Sequence, residues 1–403
     1  MSTFLGQISE IPGISVDRFN GANLESSAFF LSHCHSDHMK GLDSSFFRHL
    51  IESDKYLYCS PISKAFLMGI IFGLPEDRIR EIELSIPKII RYTVLEGEAS
   101  VVTSLTVSTS PTGHCPGSVM FIFTKDEKSI LYSGDFRINP KDLPKLNPLN
   151  HKIDGKNQAK KFNTIYLDTT FLSLDFLSFP SRLESCEVIC DAVRKWLDSN
   201  SKNVVIIECS ALYGSEHLFM EMFRLLNLKI HVKDKIYSNY MRISELAKCI
   251  TLDGRDSRIH ACTFKWFGQK NLTCRSDVNY ENILTIVPSV LRWKGKNTSC
   301  VSEYDTRNTQ RLYVCYSAHS SYEELRAFVD YFKPDKIVPC VCPSESTTEF
   351  HQLLSELMSY QMKLDVSDQV SESFNLEPPF KRVFKKPFVS KYFADDDNEN
   401  DEL

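Results

Sequence analysis

The segment Ser32-His33-Cys34-His35-Ser36-Asp37-His38 follows the apolar run Phe29-Phe30-Leu31 and sets three imidazoles and a carboxylate close together. Side chains at i and i+2 point the same way where a chain leaves a strand, so His33 and His35 can share one cation while Asp37 and His38 face a second. That pattern is half of a two-metal hydrolytic centre. Two later stretches supply what is missing. His114, in Gly113-His114-Cys115-Pro116-Gly117, completes a three-imidazole set, and Asp135 ends the apolar strand Ser129-Ile130-Leu131-Tyr132-Ser133-Gly134, where a carboxylate can bridge two cations. A turn histidine or a strand-capping carboxylate would explain either one alone. In this order they point to one site. Asp17, in Ile14-Ser15-Val16-Asp17-Arg18-Phe19, is placed to orient a metal-bound imidazole through its other ring nitrogen.

A second constellation has different chemistry. His231 follows Leu228-Lys229-Ile230, and Ile259-His260-Ala261-Cys262 precedes Leu272-Thr273-Cys274 by about a hairpin's length. Two imidazoles and two thiolates make a closed tetrahedral zinc set with no position left for water, hence a structural one. Ordinary buried thiols among thirteen cysteines are the competing reading, and the His-x-Cys pair by itself is a weak signal.

The elements behind these motifs are short apolar strands followed by loops, as in an α/β chain. A length of 403 residues with 42% hydrophobic content can bury substantial cores, most simply as two domains. Met1-Ser2-Thr3-Phe4-Leu5-Gly6-Gln7 has neither a basic start nor an apolar run, and no stretch approaches the length of a membrane span. Secretion and membrane insertion are not expected. Thirteen irregularly spaced cysteines fit a reducing compartment with free or metal-bound thiols. Net charge is −5, and the acids at 395, 396, 397, 399, 401 and 402 account for more than all of it. The remainder is nearly neutral, so an anionic polymer would have to be held by a local basic track. Lys152, Lys156, Lys160 and Lys161 are one candidate for that track, and Arg292, Lys294 and Lys296 around Trp293 are another. Trp293 and Trp266 could stack on bases, with burial as the ordinary alternative.

The ordered set Asp17, His33-x-His35-x-Asp37-His38, His114 and Asp135 resembles the metallo-β-lactamase superfamily. Tyr166-Leu167-Asp168-Thr169-Thr170-Phe171 and Tyr316-Ser317-Ala318-His319-Ser320-Ser321-Tyr322 resemble motifs A and B of its nucleic-acid-processing branch, β-CASP. Val341, after the strand Lys336-Ile337-Val338-Pro339-Cys340, stands where the branch's DNA-processing members carry valine and its RNA-processing members histidine. The resemblance runs from the first residues to about 365 and is closest to endonucleases that open hairpins and trim ends in double-strand-break repair. Those proteins also carry a Cys2His2 zinc site, and His231, His260, Cys262 and Cys274 match it.

That likeness implies an αββα metallo-β-lactamase sandwich interrupted by an α/β β-CASP insert. Its first part spans 1–158, the insert with its zinc site 159–311 and the return segment 312–365, followed by a disordered tail over 366–403. Helical patterns at 184–198, 216–226 and 322–329, and strands at 204–207 and 336–342, fit this plan. It implies a tight Zn²⁺ held by His33, His35, His114 and Asp135. A labile second site of Asp37, His38 and Asp135, open to Mg²⁺ or Mn²⁺, follows because Val341 brings no ligand. Asp37, Asp17, Asp168 and His319 would be catalytic, with His319, held by Asp168, protonating the leaving 3′-oxygen so that products keep 5′-phosphates. Ser317, Ser320, Ser321, Ser289 and Lys294 would touch phosphate, Ser289 within Val287-Pro288-Ser289 where relatives have Lys-Pro-Ser.

The implied substrate is DNA with hairpins, overhangs or single-strand to double-strand junctions, in non-homologous end joining, and the implied compartment is the nucleus. Phe380-Lys381-Arg382-Val383-Phe384-Lys385-Lys386-Pro387 could serve import. A DNA-dependent protein kinase and an end-joining ligase complex are the family's partners. The short tail argues against recruiting them by the family's long C-terminal route. A 5′-to-3′ DNA exonuclease of crosslink or telomere-end processing is the runner-up; it is disfavoured because Cys209-Ser210-Ala211-Leu212-Tyr213-Gly214-Ser215-Glu216-His217 lacks the lysine that grips a terminal phosphate. A silent DNA-repair scaffold is the third reading, and the complete ligand set argues against it.

Overall fold

The computed structural model describes residues 2–97, 99–208, 214–262, 272, 274–343 and 347–359, so the tail over 366–403, the stretch 380–387 and Trp266 lie outside it. The first sheet is wholly parallel and built from β1 (Ile14–Val16), β2 (Ala28–Leu31), β3 (Tyr56–Cys59) and β4 (Ile79–Glu81). Helices α1 (Ser44–Glu52) and α2 (Pro61–Ile70) make its crossovers. The side chain of Asp43 accepts from the amides of Ser45 and Phe46 to cap α1, and Ser60 caps α2 just before Pro61.

The second sheet begins as an antiparallel meander of β5 (Lys88–Glu96), β6 (Ala99–Pro111), β7 (Val119–Lys125) and β8 (Lys128–Tyr132). A separate hairpin of β9 (Asn150–Ile153) and β10 (Lys156–Ala159) follows. Then β11 (Thr164–Leu167) pairs parallel to β8 and, on its other edge, to β19 (Lys336–Pro339). Between these two strands lies α3 (Arg182–Ser199) and a third sheet in the order β14-β13-β15-β12-β16-β18-β17. Its strands are β12 (Val204–Ile207), β13 (Ile230–His231), β14 (Ile250–Thr251), β15 (Ile259–His260), β16 (Ile283–Pro288), β17 (Ser302–Tyr304) and β18 (Arg311–Val314), all parallel except β17. Helices α4 (Glu216–Leu226), α5 (Asp234–Tyr240) and α6 (Ser244–Ala247) fall within this insert, and α7 (Tyr322–Phe332) and α8 (Thr348–Ser359) flank β19 in sequence.

The period of two along a strand explains the layering. From β2, Phe30 points into a core shared with Tyr58, Phe121, Phe123 and Tyr132, where the first two sheets face each other. Phe29 and Leu31 point the other way, with Phe46 and Leu67 of the two crossover helices. The far face of the second sheet puts Ile122, Leu131 and Ile165 against Leu325 and Phe328 of α7 and Leu353 of α8. Helix, sheet, sheet, helix is the αββα order expected. Among the described residues no helix is long and apolar enough to cross a membrane.

The expected boundaries shift at two strands. Thr164–Leu167, assigned above to the insert, hydrogen-bonds in the second sheet, and Arg311–Val314, most of which fell in the return segment, pairs in the third. Both are short apolar strands inside large sheets, and nothing in their composition says which sheet they join. We place the crossings after β11 and after β18.

Candidate metal centre

Nearly every motif singled out above sits just beyond the carboxyl end of a strand in the two facing sheets. Asp17 follows β1, His33 to His38 follow β2, His114 follows β6, Asp135 follows β8, Asp168 follows β11 and Val341 follows β19. Open α/β sheets present ligand sites at this edge. His319 comes from the other direction, between β18 of the insert and α7.

The side chains converge. Metal-ligating atoms of His33, His35, His114 and Asp135 all lie within 4.8 Å of one another. His114 Nε2 is 3.0 Å from His35 Nδ1, and Asp135 Oδ2 is 3.6 Å from His33 Nε2 and 3.7 Å from His114 Nε2. The outer nitrogens are tethered, which sets the tautomers. His114 Nδ1 donates to the carbonyl of Ala318 at 2.9 Å, and His33 Nδ1 meets Ser32 Oγ at 2.9 Å. The inner nitrogens His33 Nε2 and His38 Nε2 are buried with no hydrogen-bond partner, as is His35 Nε2. Buried ring nitrogens are not left bare at no cost, and a divalent cation between them fits both these orphaned atoms and the donor chemistry.

Burial also keeps three of these rings neutral, the form a metal needs. It drives His33 well below the ordinary value, His35 to about 3 and His114 to about 4, with neighbouring imidazoles adding to the effect. For His38 burial pulls down but the carboxylates of Asp135 and Asp17 outweigh it and raise it well above normal. Burial would raise Asp135, yet His38 and His319 hold it well below.

Asp17 is the hub behind the rings. Its backbone is in the left-handed region at φ 55°, rare for a residue with a side chain, and its carboxylate is saturated. Oδ1 accepts from the Ser32 amide at 2.7 Å, while Oδ2 accepts from Ser32 Oγ at 2.6 Å, Tyr132 Oη at 2.9 Å and His38 Nδ1 at 2.7 Å. Through Ser32 it steers His33, and directly it steers His38. Ser32 and Tyr132 escaped the sequence reading; position next to the motif was the signal for Ser32, and inward alternation along β8 for Tyr132.

The second set is more open. His38 Nε2 lies 3.2 Å from Asp135 Oδ1 and 3.8 Å from Asp37 Oδ2, and Asp37 is partly exposed. Val341 is half-buried nearby in sequence terms to β19, its backbone paired with Thr169 Oγ1. His319 Nδ1 meets Asp168 Oδ2 at 2.8 Å and its Nε2 faces Asp135 Oδ2 at 3.9 Å. Burial would lower His319, but Asp168 and then Asp135 lift it to about 9. A ring that carries its proton at neutral pH is equipped to give it away.

The assigned phosphate contacts fare differently. Ser317 Oγ accepts from the His319 amide and donates to its carbonyl, so it shapes the His319 turn. Ser320 Oγ donates to the Phe136 carbonyl, and Ser321 Oγ accepts from the Glu324 amide to cap α7; both residues are buried. Ser289, just past β16, is half-buried, with its amide bonded to the Val314 carbonyl. Lys294 pairs with Asp175 at 3.3 Å, and Arg292 and Lys296 both pair with Glu303, which leaves one positive charge in excess on that stretch. Trp293 is buried and its indole donates to the Cys300 carbonyl, which excludes base stacking. Lys161 pairs with Asp335, while Lys152 and Lys156 stand exposed on the β9–β10 hairpin.

The other constellation also assembles. His231 Nδ1 and His260 Nδ1 are 3.1 Å apart, Cys262 Sγ and Cys274 Sγ 3.4 Å, and Cys274 Sγ and His260 Nδ1 3.5 Å. A hydrogen bond from Cys262, against burial, draws the Cys274 thiol well below its ordinary value. Four converging nitrogen and sulfur donors suit zinc. The parallel pairing of β13 with β15 sets His231 opposite His260.

A family model described as DNA repair metallo-beta-lactamase matches residues 244–345. Protein artemis of Rattus norvegicus is 32% identical over 411 residues, covering 100% of this chain and 56% of the rat protein. The Homo sapiens protein of that name is 32% identical over 414 residues, with coverage of 100% and 57%. DNA cross-link repair 1A protein of Mus musculus is 29% identical over 338 residues, covering 82% of this chain and 30% of the mouse protein. The chain thus spans little more than half the length of its artemis relatives.

Proposed function

We propose that this chain, whose residues 244–345 match the DNA repair metallo-beta-lactamase model and which is similar along its length to artemis proteins, is a metal-dependent DNA endonuclease that opens hairpins and trims overhangs at single-strand to double-strand junctions in double-strand-break repair, acting in the nucleus. The observation that carries the reading is the convergence of His33, His35, His114 and Asp135 donors beside the charged pair His319 and Asp168. The names of its relatives support DNA repair as the setting.

Cations held by His33, His35, His114 and Asp135, and by Asp37, His38 and Asp135, with zinc in the first set and zinc, magnesium or manganese in the second, would acidify bound water toward a pKa of about 7 and offset phosphate charge. The protein's own groups do the rest. Asp17 orients His38 through its Nδ1 and, through Ser32, holds His33 in the tautomer that leaves Nε2 bare. Asp168 keeps His319 protonated and aimed past Asp135, so that a proton reaches the 3′-oxygen as its bond to phosphorus breaks and the phosphate stays on the 5′ side. His114, tied to the Ala318 carbonyl in the same turn as His319, couples the acid's position to the ligand set.

End-labelled hairpin DNA and linear 5′-phosphorylated DNA, each supplied with zinc-loaded protein and Mg²⁺ or Mn²⁺, test the proposal. Cuts beside the hairpin tip leaving 5′-phosphates are expected. Stepwise release of nucleotides from linear DNA with hairpins untouched would make the protein an exonuclease, and no cleavage of either would leave a scaffold.

A further inference from the structure

We propose that residues Ser2–Phe4 form a positioning element of the second cation set, seating Asp37 opposite His38 and bracing the end of β19 where Val341 contributes no ligand. This rests on the reading above, in which Asp37, His38 and Asp135 share a cation. The amide of Ser2, itself buried, donates to Asp37 Oδ2 at 2.9 Å, and that same oxygen lies 3.8 Å from His38 Nε2. Asp37 is otherwise the least enclosed carboxylate of the site, with 19% of its side chain exposed against 9% for Asp135 and 1% for Asp17. A carboxylate on a solvent-facing loop samples several rotamers; a charge-assisted bond from a fixed amide selects one.

The segment is itself pinned on its far side. The amides of Thr3 and Phe4 both donate to the Cys340 carbonyl, at 3.0 and 3.1 Å, and the Cys342 amide donates to Thr3 Oγ1 at 2.8 Å. Residues some 337 positions apart are thereby joined on either flank of Val341. The Phe4 ring lies 5.4 Å from that of Tyr132, whose hydroxyl donates to Asp17, and 5.3 Å from that of Tyr166. The two aspartates that bracket His38 are therefore served from one three-residue segment: Asp37 through an amide, Asp17 through a packed tyrosine. A strand added merely to cover a sheet edge would spend its donors on neighbouring carbonyls, whereas here the first donor goes to a carboxylate facing the cation set.

Substituting Thr3→Val deletes the hydroxyl that accepts from Cys342 while keeping shape, and Thr3→Ser restores it. Mn²⁺ binding to zinc-loaded protein, followed by electron paramagnetic resonance, should weaken about 10-fold in Thr3→Val and stay within about 3-fold in Thr3→Ser, the size seen when outer partners of metal ligands are lost. The Mn²⁺ concentration for half-maximal cleavage should move in parallel, with KM for DNA and zinc content unchanged. Unchanged Mn²⁺ affinity in a Thr3→Val protein whose melting temperature has dropped would reduce the segment to packing and overturn the proposal. If Thr3→Val does not fold, Ser2→Pro, with Met1 retained as checked by mass, removes the Asp37 donor alone and carries the same expectation. Asp37→Asn run alongside separates the two claims: Mn²⁺ affinity unaffected by that change overturns the cation-set reading, while weakening there and not in the Thr3 or Ser2 variants overturns the positioning segment alone.

Discussion

On the proposed reading, the two histidine clusters of this molecule use similar side chains to opposite ends. In the insert, His231, His260, Cys262 and Cys274 close on one another as four donors, two of them sulfur, around a single point. In the sandwich, donors arrive from strand ends scattered between residues 17 and 168, a proton-bearing His319 stands over them, and Asp37 and His319 keep 19% and 23% of their side chains in contact with solvent. A closed set with sulfur ligands holds a cation for stability; an open oxygen and nitrogen set leaves room for substrate. What separates structure from chemistry here is whether the donors leave a vacant side.

Asp37→Asn should affect the open cluster most: cleavage falls below detection while DNA binding in a gel-shift assay is retained. Loss of DNA binding together with cleavage would mean that Asp37 shapes the groove and not the metal set. Next in size, His319→Ala should lower kcat by about 10²–10⁴-fold with zinc content unaltered, as measured by single-turnover cleavage and elemental analysis. The acid has a sign in pH as well. His319 is lifted to about 9, so its proton is in place below that value and lost as pH rises through it. Asp168→Asn removes the largest lifting charge, and the alkaline limb of the kcat profile should move to lower pH; an unmoved limb would assign the proton to another group.

Much of the open cluster was legible because its residues cannot be explained otherwise. His33, His35, Asp37 and His38 are spaced for two cations, and the structure brings them together with His114 and Asp135. The sandwich came from the family resemblance, and alternation accounts for its layers once they are seen, as in Phe29 and Phe30 facing opposite cores. Three things were hidden. Sheet membership of β11 and β18 depends on pairing between strands distant in sequence, which composition does not encode. Ser320 and Ser321 belong to the backbone of a turn and a helix cap, a use that their place beside His319 masks. Arg292, Lys294 and Lys296 around Trp293 are paired with Asp175 and Glu303, partners that only the fold supplies.

The closed cluster should respond in stability, not chemistry. Cys274→Ser, or removal of zinc by a chelator followed by reloading of the active site alone, should lower the melting temperature of the insert by at least about 5 °C, since each kcal/mol is worth roughly 2–4 °C in a domain of about 150–250 residues, with kcat at low temperature largely kept. A fall in kcat without a fall in melting temperature would erase the distinction between the clusters. The smallest effect lies away from both. Burial would raise the Glu10 carboxyl, but hydrogen bonds from Tyr166 and Thr164 bring it down to about 2. Its contribution to stability is complete above the ordinary carboxylate value of 4.5 and is lost as pH falls toward 2, so Glu10→Gln should flatten acid unfolding over that window in circular dichroism.

Crystals of the purified protein, measured on either side of the zinc absorption edge, test the central claim most directly. The account predicts an anomalous peak enclosed by His33, His35, His114 and Asp135, with a second at His231, His260, Cys262 and Cys274. Zinc confined to the second position, with the first empty even after soaking in Zn²⁺, would contradict it.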